Sequence, residues 1–273
     1  MKLKAPAKIN WTLRVLGRRP DGFHELQSWF VPLDLADTLE GNAGETSLRI
    51  SGPCADAIPG DSDNLIFVAE EKWRLAGGVA PAVTWDLRKE IPTGAGLGGG
   101  SSDAAAALNI LQGLATNPLD GKVFQKVAAE VGSDVPFFVF LARASLRGGR
   151  GEMELAKSDF PNQQVILARP DFSLSTASVY QQSQAEVWVG DRAIHSFPDQ
   201  PEVNQLEAAA ARLNPELACF ANQLREVAPF QMTGSGSIFF WASPSAEESA
   251  KVMEQIQGFA SWVIQTQLAV PTL

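Results

Sequence analysis

Apolar and polar residues alternate at Ile9, Trp11, Leu13 and Val15, the period-2 pattern of a half-buried strand. Arg18 to Gly22 is turn chemistry, and His24 to Leu35 offers a second extended segment. Ser47 to Ser51 and Val83 to Leu87 read as short strands. Between them a helix is expected to about Leu75, with Asp63 as its N-cap and Ala69 and Trp73 on its inner face. Leu108, Leu111 and Leu114 recur at helical spacing within the strong helix-forming run Ala104 to Leu114. Lys122 to Val131 predicts a further helix, stopped by Gly132 at the C′ position. Val165 to Ala168 is a short apolar strand, followed by helices from Val203 to about Leu213 and from Pro215 to Val227. Ile238 to Phe240 begins another strand, Ser245 to Ile256 a helix, and Trp262 to Leu268 a closing strand. The shift to Lys, Ser, Asp, Pro and Asn over Leu155 to Asn162 marks a boundary, so the chain divides into 1–154 and 155–273.

Five of the seven residues from Gly94 to Gly100 are glycine, and Ser101-Ser102-Asp103, all N-cap types, stand ahead of the alanine-rich helix. A glycine-rich turn feeding a helix N-terminus aims unpaired N–H groups and the positive end of the helix dipole at one point. We read this stretch as a phosphate-binding loop. Gly94-x-Gly96-x-x-Gly99 formally fits the dinucleotide fingerprint, but Pro92-Thr93 interrupts the strand that motif requires. No Lys-Ser or Lys-Thr follows the glycines, which removes the P-loop reading.

Composition narrows the chemistry. The 273 residues are 45% hydrophobic and 19% charged, ordinary for a globular protein with ample sequence for a core. A net charge of -9 argues against nucleic acid as partner, although a nucleotide site could still draw on Lys8 and Lys89. Cys54 and Cys219 are the two cysteines, without Cys-x-x-Cys spacing, so neither a zinc site nor a disulfide framework is expected. No apolar h-region follows the N-terminal basic residues and no run is long enough to span a membrane, so the expected compartment is the reducing cytoplasm.

Pro-x-x-x-Gly-Leu-Gly-Gly-Gly-Ser-Ser-Asp-Ala-Ala, from Pro92 on, resembles the ATP-phosphate loop of the GHMP kinases, the family of galactokinase, homoserine kinase and mevalonate kinase. Other segments match in order: Ala7-Lys8-Ile9-Asn10, Asp21-Gly22-Phe23-His24-Glu25-Leu26-Gln27, Gly132-Ser133-Asp134-Val135-Pro136-Phe137-Phe138, and Met232-Thr233-Gly234-Ser235-Gly236-Ser237. Together they are similar to the branch whose acceptor is CDP-methylerythritol, and the resemblance covers nearly the whole chain. It implies an α+β, two-domain GHMP kinase fold: an N-terminal ribosomal-protein-like ATP-binding domain, a C-terminal ferredoxin-like domain, and the active site in the cleft between them.

By resemblance, Lys8 and Asp134 are catalytic. Asn64, Leu65, Lys89, Pro92, Gly94, Gly96, Leu97, Gly98, Gly99, Gly100, Ser101 and Ser102 bind ATP, with Ser102 also a candidate Mg²⁺ contact. Asn10, Phe23, His24, Thr176, Tyr180, Gly234 and Ser235 hold the acceptor, with Tyr180 facing Phe23 across a pyrimidine. Asp103 sits awkwardly near phosphates, so it should face the metal or point back into the fold. Read without the family, the same residues are ordinary: Lys8 a solvated strand lysine, Asn64-Leu65 a capping turn and core leucine, Asp134 a helix cap, residues 232–237 a hairpin turn. Two positions depart from the pattern: Phe23 where Tyr is common, and Gln205 where Asp is usual. The implied partners are ATP, Mg²⁺ and a small alcohol, with no nucleic acid and no membrane, in a monomer or weak homodimer. Another small alcohol of the family, or nucleotide binding without catalysis, remains open at this point.

Overall fold

A computed structural model describes residues 1–55, 58, 60, 62–140, 143–183, 196–202 and 204–268. The N-terminal half is built on one long strand. β1 (Lys2–Asn10) and β2 (Arg14–Arg18) both pair antiparallel with β3 (His24–Ala43). β3, 20 residues long, reaches far enough to be shared, and the sheet continues in the order β4-β5-β3-β6-β7. Here β4 is Ser47–Ser51, β5 Val83–Arg88, β6 Ala144–Gly148 and β7 Met153–Ser158. Four helices cover one face: α1 (Leu65–Leu75), α2 (Gly99–Leu114), α3 (Gly121–Val131) and α4 (Val135–Val139). α2 lies at the centre, buried at Ala104 through Leu108 and again at Ile110 and Leu111. Its alanines let neighbouring elements come close on every side, so it shows no polar stripe in this stretch.

The second half is a four-stranded antiparallel sheet, β11-β8-β10-β9. Its strands are β8 (Gln164–Arg169), β9 (Gln231–Met232), β10 (Phe239–Ser243) and β11 (Trp262–Gln267). Helices α5 (Thr176–Gln182), α6 (Glu207–Leu213), α7 (Pro215–Val227) and α8 (Ala246–Ile256) complete it. Both faces of this sheet are buried. Ile166, Ala168, Phe239 and Trp241 join the helix-side core with Leu217, Leu224 and Ile256. Val165, Leu167, Phe240 and Ala242 face Ala7, Ile9, Trp29, Val31 and Leu33 of the first sheet. Side chains alternate faces along a strand, so two apolar faces require the unbroken apolar runs at 165–168 and 239–242. The sheets are also joined where Leu35 N–H donates to Thr266 Oγ1 at 3.0 Å.

Some expected elements differ. The alternation from Ile9 to Val15 does not form one strand: β1 ends at Asn10 and β2 starts at Arg14. Trp11, Thr12 and Leu13 are all buried between them, held by Trp11 N–H to Trp29 O and Trp29 N–H to Thr12 Oγ1. The α1 cap is Asn64 rather than Asp63, its Oδ1 accepting from Ile66 N–H. Gly132 ends α3 in an extended conformation, φ -178°, instead of a left-handed one. The polar stretch after residue 154 begins as the edge strand β7, where exposed Glu and Lys side chains are tolerated. Helix α6 starts at Glu207, after a turn in which the Asn204 side chain accepts from Leu206 N–H, and Val203 lies outside the described residues. Among the described residues no helix is long and apolar enough to cross a membrane.

Candidate active site

Two glycine loops meet at the N-terminus of α2. Gly94, Gly96 and Gly98 all have φ between +63° and +77°, values that side chains rarely adopt. Gly98 caps α2, so the helix begins at Gly99, earlier than the expected caps, and Ser101, Ser102 and Asp103 stand inside its first turns. The amides at the start of the helix have no intrahelical acceptor and converge with the dipole on one point. Backing this loop is the β9–β10 connection. A Cβ on Gly96 would come within 2.4 Å of Thr233 O, and one on Gly234 within 2.9 Å of Gly96 O. The hairpin-turn and packed-loop readings of residues 232–237 therefore both hold. Asn204 Nδ2 fastens this second loop by donating to Met232 O at 3.0 Å and Gly234 O at 2.7 Å. Thr176 and Ser235 share a hydroxyl–hydroxyl bond of 2.8 Å, which ties α5 to it.

Lys8 lies on β1 beside a bulge in its pairing with β3. Its N–H donates to Leu97 O at 2.9 Å, which sets the strand against the glycine loop. Its Nζ donates to Asn10 Oδ1 at 2.7 Å and Gly96 O at 3.0 Å, sits 3.6 Å from Asp134 Oδ2, and lies over the Phe30 ring. Only 3% of Lys8 is exposed, so it is not a solvated strand lysine. Burial holds its ammonium below the ordinary lysine pKa, against the opposing pull of Asp134. Asp134 occupies the cap position of α4, but its side chain makes no capping bond and points to Lys8 instead. Asn10 Nδ2 donates to Ser28 Oγ at 2.8 Å and Asn10 N–H to Thr233 Oγ1 at 2.9 Å, so the pair is framed by both halves of the chain.

Lys89 does not stand free beside the loop. Its Nζ bridges Asp37 Oδ2 and, at 2.7 Å, Asp103 Oδ2, and all three residues are buried. Asp103 thus points back into the fold, one of the two orientations expected for it. Burial pushes its carboxyl up to about 7, with Lys89 pulling it down and Asp37 pushing it up. Burial alone would lower Lys89, but Asp103 and Asp37 carry its pKa above the ordinary value. Ser102 Oγ is buried without a hydrogen-bond partner among the described residues.

The opposite end of the site is aromatic. The His24 and Tyr180 rings lie 5.3 Å apart, tilted by 31°. Phe23 is 53% exposed and carries the Arg150 guanidinium over its ring at 4.8 Å. In direct ring contact Tyr180 has His24, while Phe23 lines the same cavity without touching the Tyr180 ring. Burial lowers the His24 pKa, as does nearby Arg18, and burial raises that of the Tyr180 phenol, with Asp134 adding to it.

Lys8, Asp134, Asn10, the glycine loop and the His24–Tyr180 pair border one cavity of about 1480 Å³. That exceeds the roughly 300–1,000 Å³ usual for one drug-sized ligand, and leaves room for two. Every predicted site residue lines it except Asn64, which caps α1, and Ser102, which is set below the surface of α2. Leu65 lines the cavity beside Gly100, its Cδ1 3.5 Å from where a Gly100 Cβ would stand. Sequence reasoning missed Arg147 and Arg150 as lining residues, since Arg147-Gly148-Gly149-Arg150 reads simply as a turn. It also missed Ser28, Phe30 and Asp37, which belong to no recognisable pattern.

Comparison with known proteins agrees with this geometry. The profile for the GHMP kinases N terminal domain matches residues 64–141. The 4-diphosphocytidyl-2-C-methyl-D-erythritol kinase of Pelotomaculum thermopropionicum is 35% identical, with 98% of each chain covered. The enzyme of that name from Geobacter metallireducens is 32% identical over 97% of this chain and 96% of its own. A crystal structure of 4-(cytidine 5'-diphospho)-2C-methyl-D-erythritol kinase superposes with a TM-score of 0.81 at 32% identity, covering 98% of this chain and 99% of that one. Homoserine kinase from Cytophaga hutchinsonii, at 15% identity and a TM-score of 0.67 over 99% of this chain and 94% of its own, shares the fold. The chain belongs to the GHMP kinases, in the family of the 4-diphosphocytidyl-2-C-methyl-D-erythritol kinases.

Proposed function

We propose that this protein transfers the γ-phosphoryl group of ATP to the 2-hydroxyl of 4-diphosphocytidyl-2-C-methyl-D-erythritol. The products are the 2-phosphate and ADP, in the non-mevalonate route to isopentenyl diphosphate. The observation that carries the reading is the Lys8–Asp134 pair, 3.6 Å apart, on the wall of a cavity with a phosphate-loop end and an aromatic end. Phosphoryl transfer asks a protein mainly to position two reactants and to stabilise charge. In this reading the division into 1–154 and 155–273 separates a nucleotide-binding half from one that completes the acceptor site.

The amides from Gly94 to Ser101 hold the phosphates, Leu65 packs against the adenine, and Asn64 fixes the start of α1. Lys8 sits where charge builds between the acceptor oxygen and the γ-phosphorus. Asp134 takes or orients the proton of the acceptor hydroxyl as its oxygen forms the new O–P bond and the bond to the leaving ADP oxygen breaks. Asn10, His24, Thr176, Tyr180, Gly234 and Ser235 position the acceptor, with Phe23 at its outer edge. Among the described residues no cluster of three or more acidic, histidine or cysteine side chains could hold a metal ion. The partnerless Ser102 hydroxyl fits Mg²⁺ held mainly through the phosphates, and bound Mg²⁺ supplies positive charge to the triphosphate.

The test is Mg²⁺-dependent turnover of ATP with the cytidine substrate, run beside mevalonate, homoserine and galactose. Turnover confined to the cytidine substrate is expected. Turnover of a rival alone would keep the fold and loop and remove this substrate.

A further inference from the structure

Beneath the glycine loop lies a charged assembly in which Lys89 borders the cavity while Asp37 and Asp103 have no part in the reading above. Asp37 on β3 is fully buried, and each of its carboxylate oxygens has a separate task. Oδ1 accepts two backbone N–H groups, Glu90 at 2.6 Å and Ile91 at 2.9 Å, the residues leading into the glycine loop. Oδ2 accepts from Lys89 Nζ, which also donates to Asp103 in the first turns of α2. One side chain thus grips the chain ahead of the loop and, through Lys89, the helix behind it. Lys89 is further fixed at its backbone, its N–H donating to Ser51 O at 2.7 Å and its carbonyl accepting from Cys54 N–H. A Cβ on Gly99 would lie 3.4 Å from Lys89 Nζ, so the ammonium sits directly under the amides that face the cavity.

We propose that Asp37 is a positioning residue for the nucleotide: it acts through Lys89 and the backbone at Glu90–Ile91 to fix the spacing between the two ends of the phosphate loop. Lys89, held between two carboxylates, then serves the nucleotide by geometry rather than as a free positive charge. The inference rests on the functional reading above, since it needs a nucleotide in the loop. A phosphate cradle of backbone donors works only while those donors stay convergent, and displacements well under 1 Å suffice to lose that. A solely structural role for Asp37 would lower stability and leave nucleotide affinity alone.

The experiment is equilibrium binding of ADP to the full-length protein, with thermal unfolding and steady-state kinetics alongside, for wild type, Asp37→Asn and Asp103→Asn. Asp37→Asn keeps an oxygen for the Glu90 and Ile91 amides but removes the charge that holds Lys89. It is expected to weaken ADP binding about tenfold and raise KM for ATP similarly. kcat should change less than threefold, and KM for the alcohol should not move. Asp103→Asn loosens the other end of the bridge and is expected to weaken ADP binding about fivefold. It carries the test if Asp37→Asn fails to fold. Folded variants that are less stable but bind ADP as wild type does would overturn the proposal, as would equal losses in kcat and both KM values. Wild type that does not bind ADP would overturn the functional reading itself.

Discussion

Lys8 combines two conditions that oppose each other, deep burial and a carboxylate within 3.6 Å. Burial disfavours the ammonium, and its pKa falls below the ordinary 10.5 despite Asp134. In the proposed transfer the charged form of Lys8 is the one required, so activity should be lost as pH rises through the lowered value. The pH–rate profile is expected to show an alkaline limb below 10.5 that Lys8→Arg displaces upward; a flat profile to that pH contradicts the assignment. Asp103 shows the opposite case, a carboxyl raised to about 7 in the fold from an ordinary 3.8. Between those values the unfolded chain has released a proton that the folded one retains, so this group's contribution to stability is lost as pH rises from about 4 to 7. In urea unfolding, Asp103→Asn should show a flatter pH dependence than wild type over that window. Gly96 carries a purely steric demand, with φ +77° and Thr233 O only 2.4 Å from where a Cβ would stand. Gly96→Ala is expected to cost on the order of 2 kcal/mol by thermal melt and to abolish measurable ADP binding.

At the scale of elements, the site depends on where helices start. α2 is capped at Gly98 because glycine can take the left-handed conformation, which leaves the serines free for other work. α1 begins at Asn64, whose side chain accepts from Ile66 N–H; Asn64→Ala should cost about 1 kcal/mol of stability by chemical denaturation. Much of this was legible beforehand. Strand β4 and helices α7 and α8 fall within a residue of the expected limits, since β4 alternates cleanly and the two helices have side-chain caps at Asn214 and Ser245. The glycine loop, Lys8 and Asp134 were legible as motifs. What escaped was long-range: the split between β1 and β2 follows from bonds of Trp11 and Thr12 to Trp29 across the sheet. The Asp37–Lys89–Asp103 bridge joins residues 52 and 14 positions apart, and no local pattern announces it. Gln205, where the family usually has Asp, uses its longer side chain to accept from Val15 N–H on β2 at 2.7 Å, an anchor to the first half that the sequence did not suggest.

For the whole molecule, the second sheet is sandwiched between its own helices and the first sheet, so the halves share one apolar layer. Leu167 lies in that layer and is fully buried. Leu167→Ala should lower stability by about 2–5 kcal/mol, and urea unfolding should remain a single transition followed by fluorescence and by circular dichroism. The same layer keeps the Thr233–Gly236 loop pressed on the Gly94–Gly100 loop, and with it the aromatic end of the cavity in register with Lys8 and Asp134. The central claim is that this pair performs the transfer rather than merely joining two elements. The most direct measurement is turnover of 4-diphosphocytidyl-2-C-methyl-D-erythritol by Asp134→Asn, with the affinities of ADP and of the cytidine substrate measured on the same protein. The account predicts a loss in kcat of at least about 100-fold, the scale of a removed acid–base group, with both affinities within a few-fold of wild type. Retained turnover, or a loss that appears only as weakened binding, would contradict it.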